Sequence, residues 1–108
     1  MAPLLAAIMR LDCDLLVLEF ANREMAECEA LRELSGKFDI AAGVVDVKSF
    51  HIESADEVAR RIELCLQYVD EARLTVTADC GFSALPRYLA RRKLQALVEG
   101  ARLVRGRT

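Results

Sequence analysis

Three apolar runs, each closed by a side chain of different chemistry, constrain what this chain can fold into. The first is Asp14-Leu15-Leu16-Val17-Leu18-Glu19-Phe20, the second Ala41-Ala42-Gly43-Val44-Val45-Asp46-Val47-Lys48, and the third Arg73-Leu74-Thr75-Val76-Thr77-Ala78 leading into Asp79-Cys80-Gly81-Phe82. Each is short and bounded by polar residues or turn formers, as a strand should be. The unbroken apolar centre of the first implies burial on both faces, the mark of a parallel sheet. Helical spacing follows every run. Met25, Cys28, Leu31 and Leu34 recur after the first, and Val58, Ile62, Cys65, Leu66 and Val69 after the second. Ala90, Leu94, Leu97, Val98 and Ala101 follow the third. With a leading helical stretch over Pro3 to Arg10, the order is α-βα-βα-βα. That alternation predicts an α/β fold of parallel strands joined by right-handed crossovers. Glu19, Lys48 and Cys80 lie at or near the ends of successive strands, 29 and 32 residues apart, close to one βα unit of roughly 30 residues. A carboxylate, an amine and a thiol are thereby expected at one end of one sheet.

Local signals support the helices. Asn22 is expected to cap the first crossover helix, which Ser35-Gly36 stops. Ser54-Ala55-Asp56-Glu57 reads as a capping box. Pro86 suits the first turn of the last helix, with Arg87, Arg91, Arg92 and Lys93 expected on its wet side. The end, Arg105 to Thr108, is expected to fray. Gly81, after the thiol, is expected to allow a sharp turn and keep bulk away from the sulfur.

With 108 residues the chain is expected to form one domain, 1–108. It is 54% hydrophobic and 30% charged with two prolines, which excludes a disordered chain. A net charge of −2 gives no pull toward nucleic acid or anionic membrane. The opening Met1 to Leu11 lacks a charged leader and nothing is long enough to span a bilayer, so neither a signal peptide nor a membrane partner is expected. The four cysteines, Cys13, Cys28, Cys65 and Cys80, are widely spaced and contain no Cys-x-x-Cys pair. They read as reduced thiols of a cytoplasmic protein.

The chemistry of the strand ends leaves alternatives. Cys80 reads as a thiolate ligand or nucleophile, or as an ordinary core cysteine. Glu19 with Cys80 can supply half of a tetrahedral zinc site, or Glu19 is a solvated strand end paired with Lys48 or Arg23. Lys48 is a proton donor or substrate anchor, or it neutralises Glu19 or Asp46. His51, the one histidine, sits in a polar loop and reads as a surface residue. Cys13, Cys28 and Cys65 read as small core residues. The basic last helix lacks aromatic interleaving and reads as a solvated face rather than a nucleic-acid site. Three parallel strands leave two exposed apolar edges, to be covered by self-association or by a partner chain. An eight-stranded barrel takes typically about 250 residues, so the chain accounts for a partial one.

Taken together, Leu11-Asp12-x-Asp14 leading to Leu18-Glu19, Gly43 to Lys48, Glu57-Val58-Ala59-x-Arg61-Ile62, Asp79-Cys80-Gly81-Phe82 and Leu85-Pro86-Arg87 resemble the carboxyl-terminal part of cobalamin-independent methionine synthase, over roughly Leu11 to Arg105. The resemblance implies part of a TIM barrel, (β/α)8, whose activity is methyl transfer from 5-methyltetrahydrofolate to homocysteine. In that family a zinc ion is held by a His-x-Cys motif, a Glu and a second Cys. By resemblance, Glu19 is that Glu and Cys80 that second Cys. Zinc lowers the pKa of the homocysteine thiol, which then accepts the methyl group. At the position of Lys48 the long enzymes carry a histidine thought to donate a proton. Lysine there looks like the shorter, single-barrel members, so Lys48 is the catalytic residue implied.

The His-x-Cys motif belongs upstream of Glu19 and does not occur here. The expectation is a fragment or truncated form of a methionine-synthase-like methyltransferase, inactive alone. Two other readings stay open. One is a non-catalytic barrel remnant acting as an interaction module. The other is a zinc-dependent thiol alkyltransferase of the coenzyme M type.

Overall fold

A computed structural model describes residues 2–107. Its elements are α1 (Leu5–Ile8), β1 (Leu15–Glu19), α2 (Leu31–Leu34), β2 (Asp39–Val45), α3 (Ala55–Leu66), β3 (Leu74–Ala78) and α4 (Arg87–Arg107). The strands form one parallel sheet in the order β1-β2-β3. This is the predicted α/β arrangement of three parallel βα units, the architecture of a partial TIM barrel.

The register places Val17, Ala41 and Thr75 side by side, with Glu19, Gly43 and Thr77 in the next row. Side chains alternate across a strand, so these two rows share one face. The other face carries Leu16, Ile40 and Leu74, then Leu18, Ala42 and Val76. It packs on the helices, where Leu31, Leu34, Phe38, Val58 and Cys65 are fully buried with it. Burial pushes the Cys65 thiol up to about 12, with Cys28 nearby adding to the shift, as befits an inert core thiol. The central strand, β2, is buried along nearly its whole length. Its edge neighbour β1 is not: Leu15 is 50% and Val17 64% exposed. The apolar run of β1 therefore does not mean burial on both faces in this chain, because one face has no layer over it.

Between β2 and β3 the register slips at Gly43/Val45. Such a bulge bends the strand. The Val44 carbonyl finds its partner in Arg61, whose Nη1 donates to it at 2.8 Å. The second strand ends at Val45, so Lys48 lies in the following loop rather than on the strand. Cys80 likewise sits just past the end of β3. Ser54 caps α3 as predicted, its Oγ accepting from the Glu57 amide at 3.1 Å.

The first crossover departs from expectation. A continuous helix from Asn22 is replaced by two short 3-10 turns, Ala21–Arg23 and Cys28–Ala30, ahead of α2. Glu24 and Met25 between them adopt left-handed backbone, with φ of 53° and 65°. The cause is tertiary. The backbone amides of residues 20 to 22 are bonded to Asp79 instead of seeding a helix. The apolar stripe is nonetheless read correctly, since Met25, Cys28, Leu31 and Leu34 are all buried. The leading stretch is likewise a 3-10 turn, Ala2–Leu4, running into the short α1. Leu5 and Ile8 pack on the core while Leu4 and Leu11 are exposed.

Along α4 the buried stripe is rotated from the one predicted. Leu97 and Ala101 pack on the core as expected, but Leu94 and Val98 are 46% and 48% exposed, while Leu89, Lys93, Ala96 and Val104 are buried. Lys93, expected in solvent, is fully buried. Gly100 explains the phase: a Cβ there would lie 2.5 Å from Val58 Cγ1 and 3.1 Å from the Ala55 carbonyl. The two helices therefore touch along the line that Gly100 defines. α4 runs to Arg107, with Val104 buried near its end. Met1 and Thr108 lie outside the described residues.

Lys93 is buried because its charge is fully used. Its Nζ donates to Glu53 Oε1 at 2.8 Å, to the Asp46 carbonyl at 2.8 Å and to the His51 carbonyl at 2.6 Å. Glu53 Oε2 accepts from Arg61 at 3.1 Å and from the Asp46 amide at 2.8 Å. Burial pushes the Glu53 carboxyl up. The bonds from Lys93, the Asp46 amide and Arg61 outweigh it and hold it below its ordinary 4.5. A carboxyl that titrates lower in the folded chain than in the unfolded one contributes stability above the unfolded value, lost as pH falls through the folded one. Denaturant unfolding at a series of pH values is expected to show stability falling as pH drops below about 4.5. Glu53→Gln is expected to be less stable at neutral pH and to show a flatter acid limb. An acid limb unchanged in slope would remove Glu53 as its source.

Candidate functional site at the carboxyl ends of the strands

One carboxylate joins the two outer strands. Asp79 is 5% exposed, and its own amide extends the sheet by donating to the Val45 carbonyl at 2.8 Å. Its Oδ1 accepts from the amides of Phe20 and Ala21, both at 3.1 Å, and its Oδ2 from the Asn22 amide at 2.7 Å. The residue directly after β3 thus grips the turn directly after β1. Burial pushes the Asp79 carboxyl up from its ordinary value. The three backbone donors pull the other way, and the nearby Asp46 adds to the rise.

The grip crosses β2 where that strand has no side chain. A Cβ at Gly43 would lie 2.3 Å from Asp79 Oδ1, 2.8 Å from Asp79 Cα and 3.1 Å from the Leu18 carbonyl. Gly81, by contrast, has no positive φ, and a Cβ there would meet nothing within 4 Å. The sequence reading placed the need for glycine at Gly81, but the structure places it at Gly43.

Around this clamp the predicted residues take their places. Glu19 is the last residue of β1, immediately before the gripped turn, and Asn22 Nδ2 donates to its Oε2 at 3.1 Å. Lys48 Nζ is 4.0 Å from Glu19 Oε2, both side chains being substantially exposed. Exposed pairs of this kind contribute little to stability, about 0–1 kcal/mol. Cys80 directly follows Asp79 and is exposed, so it is not an ordinary core cysteine. Cys13 is exposed as well, against expectation, because the segment between α1 and β1 lies outside the core. Cys28 and Cys65 are buried as predicted. His51 lies at the surface, its Nε2 3.1 Å from Glu57 Oε2.

The donor set therefore comprises one carboxylate and one thiol at the same end of the sheet, flanking the Asp79 clamp. Among the described residues no group of three or more His, Cys, Asp or Glu side chains is placed to hold a metal ion. Glu19 and Cys80 have the chemistry of half a tetrahedral zinc site. Both are exposed at the carboxyl end of the sheet.

The sequence reading missed the part played by two residues that build this end. Asp79 carried a signal, an acidic residue at the close of an apolar strand. Lys93 was hidden among arginines. Its signal was the helical line Leu89, Lys93, Ala96, Gly100 and Val104, whose small members mark close helix packing. Lys93 closes the loop that carries Lys48, by binding the carbonyls of Asp46 and His51 on either side of it. The Lys48 amide in turn donates to Asp46 Oδ1 at 2.8 Å.

Gly43→Ala is expected to destabilise the chain by about 1–3 kcal/mol, since the added methyl forces the Asp79 carboxylate or the backbone to shift. Gly81→Ala is expected to change stability by less than about 0.5 kcal/mol. Urea unfolding midpoints of the two variants measure the contrast, and equal midpoints would contradict the placement of the clamp.

Comparison with known proteins agrees with this architecture. Residues 1–103 match the family profile described as cobalamin-independent synthase, catalytic domain. The 2-hydroxypropyl-CoM lyase of Xanthobacter autotrophicus is 45% identical over 97 residues, covering 85% of this chain and 26% of that protein. The methionine synthase of Pyrococcus abyssi is 41% identical over 88 residues, covering 82% of this chain and 26% of that protein. A solved B12-independent methionine synthase from Shewanella sp. W3-18-1, in complex with selenomethionine, superposes with a TM-score of 0.89 at 30% identity. It covers 98% of this chain and 30% of that one. The chain thus spans about a quarter of the length of the curated relatives it matches. With three parallel βα units, the family match over nearly its whole length and that superposition, the chain belongs to the cobalamin-independent methionine synthase family, as part of the catalytic domain.

Proposed function

We propose that this chain supplies part of a zinc-dependent thiol-alkylating site, with Glu19 and Cys80 as two of the metal ligands. The observation that carries the proposal is the Asp79 clamp, which draws the ends of β1 and β3 together and leaves a carboxylate and a thiol exposed on either side of it. When bound, zinc supplies the acidity that turns a substrate thiol into a thiolate near neutral pH. The remaining ligands come from outside these 108 residues, because the sequence contains no His-x-Cys.

Lys48 acts at this site as a cation beside Glu19. It anchors an anionic group of a substrate or delivers a proton to the leaving group, while the Lys93 bonds keep its loop from wandering. The substrates proposed are homocysteine as methyl acceptor and 5-methyltetrahydropteroylglutamate as donor, in methionine biosynthesis. Likeness to a 2-hydroxypropyl-CoM lyase supports a second reading, in which the same half-site serves a coenzyme M type thiol. No described helix is long and apolar enough to cross a membrane, and free thiols at all four cysteines accord with a cytoplasmic setting.

On this reading the chain alone binds zinc weakly and does not methylate homocysteine. In a chelator-competition titration, Cys80→Ser and Glu19→Gln are each expected to weaken zinc binding by at least about tenfold. If both variants hold zinc as the parent chain does, the ligand assignment fails. If the chain alone turns over homocysteine, the idea that its site is incomplete fails.

A further inference from the structure

The Asp79 carboxylate meets neither Glu19 nor Cys80, yet the residue is tied to the supports of both. It is joined by one peptide bond to Cys80. It accepts three amides from the turn after Glu19. The third of those amides belongs to Asn22, whose side chain donates to Glu19 Oε2. A continuous path, Cys80 to Asp79 to Asn22 to Glu19, therefore runs through one covalent link and two hydrogen bonds. The two strands it joins are not neighbours, since β2 lies between them. Their ends meet only because Gly43 leaves the space that the carboxylate occupies.

We propose that Asp79 is a positioning residue that sets the separation and orientation of Glu19 and Cys80 before any metal arrives. The purpose assigned to this geometry rests on the zinc reading above, but the geometry itself does not. A carboxylate suits the task better than an amide. All three partners are N–H donors, and only a group with acceptors on both oxygens satisfies them together. Asp79→Asn can keep the two bonds to Oδ1, but it turns an NH2 toward the Asn22 amide. The bond lost is the one that leads to Glu19. The consequence is a looser Glu19 in a chain that is still folded.

The test is free of metal. In a Cys13→Ser background, which removes the other exposed thiol, Glu19→Cys places a thiol at the end of β1. It removes the Asn22 side-chain bond and leaves the three amide bonds, so bridging reads the hold of Asp79 on the backbone turn after β1. A short bifunctional thiol reagent then bridges it to Cys80 within one chain, and mass spectrometry follows the rate. Cys28 and Cys65 are buried and do not compete. With Asp79 present, bridging is expected to be fast. With Asp79→Asn it is expected to slow by on the order of tenfold, because a positioning contact acts through effective concentration. Equal rates in two variants of equal circular dichroism would overturn the inference.

If Asp79→Asn does not fold, amide hydrogen exchange of the unmodified chain decides. The Ala21 and Asn22 amides are expected to exchange as slowly as the Asp79 amide, and exchange at open-chain rates overturns the clamp. Failure of the zinc reading looks different. Bridging would then depend on Asp79 while zinc affinity ignored both Glu19→Gln and Cys80→Ser.

Discussion

Three backbone amides converging on one buried carboxylate hold this end of the molecule together. Parallel sheets tie each strand to its neighbour, but nothing in a ladder of hydrogen bonds fixes one outer strand against the other. Asp79 does so across β2, and the absence of a side chain at Gly43 makes the crossing possible. Taking a carboxylate out of water costs several kcal/mol, and bonds from amides offset it. The upward shift of the Asp79 carboxyl records that tension between burial and its donors.

A second buried charge organises the neighbouring loop by the same logic. Lys93 reaches from α4 to Glu53 and to two loop carbonyls, while Arg61 reaches from α3 to Glu53 and to the carbonyl at the bulge. The loop bearing Lys48 is thus fixed by side chains from both of the long helices. Breaking such a network by removing one partner typically costs about 3–5 kcal/mol, since a charge is left buried without its counterpart. Polar networks of this kind make a site rigid without taking part in its chemistry.

The strand-helix order and the parallel sheet were legible from hydrophobic period and spacing. Glu19 and Cys80 emerged from their positions alone, as candidates. What was not legible depended on partners distant in sequence. The helix expected from Asn22 is absent because its amides are taken by a residue 57 positions away. Periodicity cannot register that competition. The phase of α4 was misread because Leu94 and Val98 look more like core than Lys93 and Gly100 do. A lysine with three acceptors and a glycine pressed against Val58 reverse that ranking. The burial of β1 was overread because an apolar strand states what its face prefers, not what lies over it.

The sheet has ends of another kind. Its two edges, β1 and β3, are different surfaces, so the chain has a polarity across the sheet as well as along the strands. Self-association that extends the sheet with strands parallel and helices on one side must join β3 of one copy to β1 of the next. That joint is head-to-tail, and head-to-tail joints have no natural dimer: they close into a ring or grow without limit. A two-fold pair is available only by reversing the strands or turning one sheet over, either of which puts Glu19 and Cys80 of the two copies on opposing ends or faces. The asymmetry of its two edges leaves the chain without a two-fold pairing that extends the sheet and keeps both copies' Glu19 and Cys80 at one end.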